Sequence, residues 1–141
     1  MYKVKIFSIG KTKEPWLNEA ISEYSKRLGP ILSIEWVIAK DNLALFHLLQ
    51  KEVSYIALDP QGKILTSEAF SDWIQKQLEQ EGSRLNFVIG GADGLSKEVV
   101  AKARSLLSLS PLTFTHQLTR LILLEQLYRG FEIQKNSPYH K

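Results

Sequence analysis

The sequence predicts an α/β domain, a mostly parallel sheet flanked by helices. Three observations carry that expectation. Short apolar runs alternate with stretches of helical periodicity along the whole chain. Glycine, proline or helix-capping residues stand at nearly every junction. The chain has 141 residues, 44% hydrophobic and 23% charged, which suits one ordinary core.

Each element has its own justification. Residues 2–9 read as a strand, with Val4 and Ile6 on one face, Lys3 and Lys5 on the other, and Gly10 at its end. A helix follows from Pro15, which suits a first helical turn. It carries Trp16, Leu17, Ala20, Ile21, Tyr24 and Leu28 at helical spacing and stops at Gly29-Pro30. Ile31 to Ile38 is a second strand. Asp41 or Asn42 caps a second helix with Leu45, Phe46, Leu49 and Val53 on its apolar stripe. Ser54 to Leu58 is a short buried strand, and Asp59-Pro60-Gln61-Gly62 is a turn.

Thr66 or Ser67 caps a third helix bearing Phe70, Ile74 and Leu78 and ending at Gly82. Leu85 to Ile89 is a fourth strand that runs into Gly90-Gly91-Ala92-Asp93-Gly94. Ser96 caps a fourth helix, with Glu98 in its first turn where the helix dipole favours a carboxylate. Leu106 to Leu109 is a fifth strand, Pro111 to Thr115 a loop, and His116 to Gln134 a last helix. No repeat, low-complexity stretch or linker interrupts the pattern, so residues 1–141 form one domain.

Composition narrows the function classes. The 18 Lys and Arg against 15 Asp and Glu leave a net +3, compatible with a polyanion partner without requiring one. The chain has no cysteine, which excludes disulfide scaffolds and thiol nucleophiles. His47, His116 and His140 are far apart, so no metal site is expected. No Gly-x-Ser-x-Gly elbow is present. Glu19, Glu23, Glu79 and Glu81 read as solvated helix faces. The amino terminus reads as a strand, not a signal peptide, and no apolar run reaches membrane-spanning length. The expectation is a cytoplasmic protein with no membrane contact.

The last helix is apolar over more than one face, through Leu118, Leu121, Ile122, Leu123, Leu124, Leu127 and Phe131. Such a helix is buried on several sides, either by a second copy of the chain or at the centre of a monomeric core. Arg120, Glu125 and Arg129 are the exceptions, and the last two are spaced to pair.

Three segments are candidates for chemistry. The loop Ile89 to Ser96 is either a tight strand-to-helix turn or a ligand site where glycine lets backbone approach closely. Its spacing fits neither the dinucleotide nor the phosphate-loop fingerprint. The segment Ser108 to Thr115 is apolar and hydroxyl-rich. It is either a core loop with a cap at Thr115 or a wall for a flat heterocycle such as adenine. The loop after Leu58 also lies at a strand end, so three loops can share one pocket. The carboxy terminus, Asn136-Ser137-Pro138-Tyr139-His140-Lys141, is either a solvated tail or a set that stacks on a base and meets phosphate.

Together, Phe87-Val88-Ile89-Gly90-Gly91-Ala92-Asp93-Gly94-Leu95, Leu107-Ser108-Leu109-Ser110-Pro111-Leu112-Thr113, His116-Gln117-Leu118, Leu124-Glu125-Gln126-Leu127-Tyr128-Arg129 and Pro138-Tyr139-His140-Lys141 resemble one family. It is the small SPOUT-class methyltransferase that modifies a pseudouridine of the bacterial large-subunit (23S) ribosomal RNA. Ile9-Gly10-Lys11 and Tyr24-x-x-Arg27 are similar to it as well, and the resemblance covers essentially the whole chain. The stretch from Ala39 to Ser54 is shorter than in some members. The chain ends on Lys141 where the family is often Arg plus one more residue, and lysine lacks the guanidinium fork.

The resemblance implies S-adenosylmethionine-dependent methylation of pseudouridine N3, on assembled ribosomes, by a homodimer with a deep carboxy-terminal trefoil knot. It implies that Leu58, Gly91, Ser110, Pro111, Leu112, Thr113, Phe114 and Thr115 hold the cofactor. It also implies that Tyr139 and His140 reach the RNA site, for positioning or for removal of the N3 proton. No metal is implied. The competing readings are a non-catalytic ribosome- or RNA-binding factor and a small nucleotide-binding regulator.

Overall fold

A computed structural model describes every residue, Met1–Lys141. Five strands and five helices alternate. In order they are β1 (Tyr2–Ile9), α1 (Pro15–Leu28), β2 (Leu32–Ala39), α2 (Asn42–Leu49), β3 (Ile56–Ile64), α3 (Ser67–Gln80), β4 (Arg84–Ile89), α4 (Lys97–Lys102), β5 (Ser105–Ser108) and α5 (His116–Gln134). The strands form one sheet in the order β2-β1-β4-β3-β5. Every pairing is parallel. The predicted α/β class is therefore the observed one.

Strand alternation sorts the side chains into two cores. Val4, Ile6, Ile56, Leu85, Phe87, Ile89 and Leu107 face α1, α3 and α5, and pack there with Leu17, Ile21, Phe70, Ile74, Leu78, Leu123, Leu124, Leu127 and Phe131. Phe7, Ala57 and Val88 face the other way, toward Leu45 and Leu49 of α2 and Val99 of α4. Burying each such aliphatic or aromatic side chain contributes about 1.5–3 kcal/mol. On the first face α5 lies between α1 and α3 and contacts both. That central place accounts for much of its all-round apolar sequence.

The caps follow the chemistry of their residues. Asp41 Oδ1 accepts from Ala44 N at 2.9 Å, Thr66 Oγ1 from Ala69 N at 3.1 Å, and Thr115 Oγ1 from Leu118 N at 3.2 Å. Each satisfies an amide that the first helical turn leaves without a partner.

Two expectations need correction. The stripe of α2 does not include Val53, because the helix stops at Leu49 and Val53 is fully exposed. The sequence spacing carried the helical period through a turn. Likewise, the third strand does not end at Leu58 but continues to Ile64. Leu107 of β5 is opposite both Leu58 and Lys63, so residues 59–62 are looped out of the ladder. Asp59 Oδ2 accepts from Gln61 N at 2.9 Å and shapes that excursion as an Asx turn. Gly62 then returns against the β5 backbone. A Cβ there would stand 2.5 Å from Leu107 N and 2.6 Å from Leu106 C, so only glycine fits.

Candidate active site

Because the sheet is parallel, Ile9, Leu58, Ile89 and Ser108 bring their following loops to one edge. This is the carboxyl edge, where open α/β sheets bind ligands. The structure thus gathers the predicted cofactor residues Leu58, Gly91 and Ser110 to Thr115 at a common rim.

The glycine loop is a tight turn. Gly94 N donates to Gly91 O at 3.0 Å, and Gly94 has φ +77°, a conformation that favours glycine. Gly91 sits on the end of β1, where an added Cβ would be 3.3 Å from Ile9 Cγ2. The turn's tip, Ala92 and Asp93, is exposed.

In the loop after β5, Ser108 Oγ donates to Ser110 O at 3.0 Å, and Ser110 Oγ accepts from Leu112 N at 2.9 Å. These bonds use the hydroxyls to shape the loop. Leu112 is left 74% exposed, an apolar side chain facing outward at the rim. Pro111 and Thr113 are also exposed, Phe114 is half-buried, and Thr115 spends its hydroxyl on the cap of α5. The exposed Pro111 and Leu112 and the half-buried Phe114 give this rim apolar surface, and the chain's backbone groups give it polar ones, a mixture that suits a flat heterocycle.

Arg120 was not singled out as a site residue by sequence. It is 1% exposed. Its guanidinium donates to Ser8 Oγ at 3.0 Å, Thr12 Oγ1 at 2.9 Å, Ile9 O at 2.8 Å, and Gly10 O. Burial without a carboxylate partner lowers its pKa from the usual value. One turn earlier, Gln117 Nε2 donates to Lys11 O at 3.1 Å, and Gln117 Oε1 accepts from Lys13 N at 3.4 Å. The first turns of α5 are thereby tied to the segment after β1. His116, beside them, has its pKa lowered by burial first, then by Arg120 and Lys13.

The predicted tail residues lie elsewhere on the molecule. Tyr139 packs edge-on against Tyr128 with ring centroids 4.8 Å apart, and its hydroxyl donates to Glu125 Oε2 at 2.8 Å. With that proton committed, Tyr24 donates to the Tyr139 oxygen at 3.3 Å. Burial, then the hydrogen bonds with Tyr24 and Glu125, raise the Tyr139 pKa well above the ordinary phenol. Arg27 lies over the Tyr24 ring at 4.8 Å and the Tyr128 ring at 5.7 Å. Arg129 pairs with Glu125 at 2.7 Å, as the spacing predicts, and its Nη1 meets His140 Nδ1 at 3.0 Å. His140 Nε2 is 3.1 Å from Glu68 Oε1 on α3.

Sequence reasoning noted Tyr24, Arg27, Glu125, Tyr128 and Arg129 but did not join them to the tail. The signal was their shared helical register on α1 and α5. Glu81 also differs from expectation. It is half-buried, 3.7 Å from Arg104, and accepts from Ser54 Oγ at 2.5 Å. Other features concern what the chain lacks. No group of three His, Asp or Glu residues is placed to hold a metal ion, and no helix is long and apolar enough to cross a membrane.

The tail and the end of the cofactor loop attach to different parts of α5. The tail packs on Glu125 to Arg129, while the cofactor loop ends at Thr115, where α5 begins. At 1.5 Å per residue, Thr115 and Arg129 are separated by roughly 20 Å along the helix.

Comparison with known proteins agrees with this architecture. Residues 2–140 match the family described as "Predicted SPOUT methyltransferase". A protein of Protochlamydia amoebophila (strain UWE25), "Ribosomal RNA large subunit methyltransferase H", is 58% identical over 142 residues, covering all of both chains. Among solved structures, a probable methyltransferase from Bordetella pertussis Tohama I superposes with a TM-score of 0.56 at 9% identity, over 90% of this chain and 95% of that one. A probable methylase family protein from Haemophilus influenzae Rd KW20 gives 0.57 at 10% identity, over 99% and 70%. The two structures share the fold; the near-complete family match and the end-to-end identity show that this chain belongs to the SPOUT methyltransferase family.

Proposed function

We propose that this protein methylates N3 of a pseudouridine in large-subunit ribosomal RNA, using S-adenosylmethionine, as a homodimer acting on assembled ribosomes in the cytoplasm. The observation that carries this reading is the 58% identity, over the full length, to a ribosomal RNA large subunit methyltransferase.

In the bound state, S-adenosylmethionine supplies a methyl group on a positive sulfur, which is a good leaving group for in-line displacement. The chain's part is positioning, which can supply several kcal/mol. Leu58, Gly91 and the Ser110 to Thr115 loop are assigned to the cofactor, with Gly91 seated on Ile9 and the loop braced by Ser108. Tyr139 and His140 are assigned to the RNA base. The raised pKa of Tyr139 favours a positioning role for its hydroxyl over removal of a proton.

The roughly 20 Å between loop and tail supports the homodimer, since two antiparallel α5 helices would set one copy's tail beside the other's loop. The half-buried Leu121 and Ile122 and the partly exposed Leu118 supply apolar surface for that contact. The path from edge strand β5 back to α5, with Arg120 held on the end of β1, supports a knotted carboxy-terminal segment.

The modest +3 charge favours a ribosome over free RNA, because phosphate contacts alone give weak, salt-sensitive binding. The test is methylation in vitro of ribosomes lacking the mark, with the product located by mass spectrometry. Methylation of ribosomes far above that of naked RNA supports the proposal. No transfer to either, or equal rates on both, refutes it.

A further inference from the structure

The tail carries a constraint on histidine chemistry that the proposed reaction does not by itself supply. His140 Nδ1 lies 3.0 Å from Arg129 Nη1. A guanidinium has only donors, so Nδ1 accepts and carries no hydrogen. His140 Nε2 lies 3.1 Å from Glu68 Oε1. A carboxylate accepts, so Nε2 holds the hydrogen. Arg129 is itself fixed by Glu125, with Nη2 to Oε2 at 2.7 Å and Nε to Oε2 at 3.2 Å. It also lies over the Tyr139 ring at 5.0 Å. The donor to Nδ1 is therefore held on two sides, whereas the acceptor at Nε2 is a carboxylate on an exposed side chain, 65% accessible.

We infer that Arg129, braced by Glu125, is a positioning residue that holds His140 as its Nε2–H tautomer, so that the imidazole offers the RNA base a hydrogen-bond donor, not a base. This inference rests on the assignment of the tail to the RNA base. Glu68 keeps the donor occupied until substrate arrives. A carbonyl beside N3 of the pseudouridine ring then replaces Glu68 as acceptor. During transfer the N3–H proton leaves to solvent water and the N3 electron pair forms the bond to the methyl carbon. The carbon–sulfur bond breaks with its pair going to sulfur. The negative charge that develops over N3 and its flanking carbonyls is stabilised by the Nε2–H donor, in the manner of an oxyanion contact. An imidazole whose Nδ1 faces an arginine and whose Nε2 bears hydrogen has no free lone pair for the N3 proton.

The test reads the tautomer directly and then its use. Long-range proton–nitrogen NMR of the full-length protein, labelled at histidine nitrogens, distinguishes the two neutral tautomers, and the His140→Gln spectrum assigns the signal. We expect the Nε2–H form in the wild type and in Glu68→Gln, whose amide oxygen still accepts. A mixture is expected in Arg129→Met. An Nδ1–H signal in the wild type, or a tautomer unchanged in Arg129→Met, overturns the inference. This readout needs no RNA, so it stands or falls apart from the proposed reaction.

Single-turnover methylation of ribosomes then compares His140→Gln, which can donate but cannot take up a proton, with His140→Ala. A donor role predicts that the glutamine variant stays within about tenfold of wild type, while alanine loses roughly a hundredfold or more, the scale of a lost oxyanion donor. Glutamine as inactive as alanine, with wild type active, overturns the donor role and leaves the methyltransferase reading intact.

Discussion

Replacing Arg120 by Met sets two large effects against each other. Methionine roughly fills the stem of the side chain and removes a buried cation. Burying an ion costs several kcal/mol, and replacing buried ion pairs with apolar residues is often neutral or stabilising. Here, however, only one side of the interaction is removed. Ser8 Oγ, Thr12 Oγ1, Ile9 O and Gly10 O remain as acceptors. Ser8 is fully buried, whereas Ile9, Gly10 and Thr12 are half-buried and within reach of water.

Each buried polar group left without a partner costs about 1–3 kcal/mol. One dry acceptor and three partly wet ones give a net loss of about 2–4 kcal/mol. For a chain of this size that lowers the midpoint of thermal unfolding by roughly 10 °C. Arg120→Lys should fall between, since an ammonium cannot reproduce the guanidinium fork. The assay is urea and thermal unfolding followed by circular dichroism at one fixed protomer concentration, because association alters apparent stability. An Arg120→Met protein as stable as wild type, or more so, would show that the four hydrogen bonds do not repay the buried charge, and the reasoning would fail.

Two further outcomes follow from geometry. Gly62→Ala places a Cβ against the Leu106 and Leu107 backbone at 2.5–2.7 Å. Backbone cannot yield as a side chain does, so the loss should reach the upper end of the overpacking range, about 3 kcal/mol. Calorimetry should show S-adenosylmethionine binding weakened along with the thermal midpoint; an unchanged midpoint would refute the tight return of the strand. His116 gives a pH dependence. Its folded pKa lies below the ordinary 6.5, so the unfolded chain binds the proton more readily. The stability it contributes is complete above pH 6.5 and is lost as pH falls from there through the folded pKa. Between pH 7 and 5, His116→Gln should lose less stability on acidification than wild type in urea titrations. Parallel pH profiles would count against the assignment.

What the sequence revealed, and what it hid, divides by distance along the chain. The caps at Asp41, Thr66, Ser96 and Thr115 were legible because cap and helix are neighbours. So was the Glu125–Arg129 pair, four residues apart on one helix. The rim of loops was legible because a parallel sheet sends all its strand ends to one edge. Arg120 was opaque: its partners precede it by more than 100 residues, and a single cation in an apolar helix resembles a solvent-facing one. Gly62 was opaque for a related reason. A turn-like Asp-Pro-Gln-Gly sequence ordinarily ends a strand, and only the approach of β5 keeps the chain in the ladder. Val53 misled in the opposite direction, by extending a period that the backbone had already abandoned.

The last helix links these observations. Its first turns, through Gln117 and Arg120, fix the segment after β1 and with it the floor beneath Gly91. Its last turns, through Glu125, Tyr128 and Arg129, fix the tail and its histidine. Between them Leu123, Leu124 and Leu127 anchor the helix to the sheet, so the spacing of its two ends is rigid. The separation of roughly 20 Å along the helix is kept by its packing, because Leu123, Leu124, Leu127 and Phe131 are buried in the main core. If the cofactor loop and the tail serve one reaction, the shortest way to join them is a second helix of the same length running the other way.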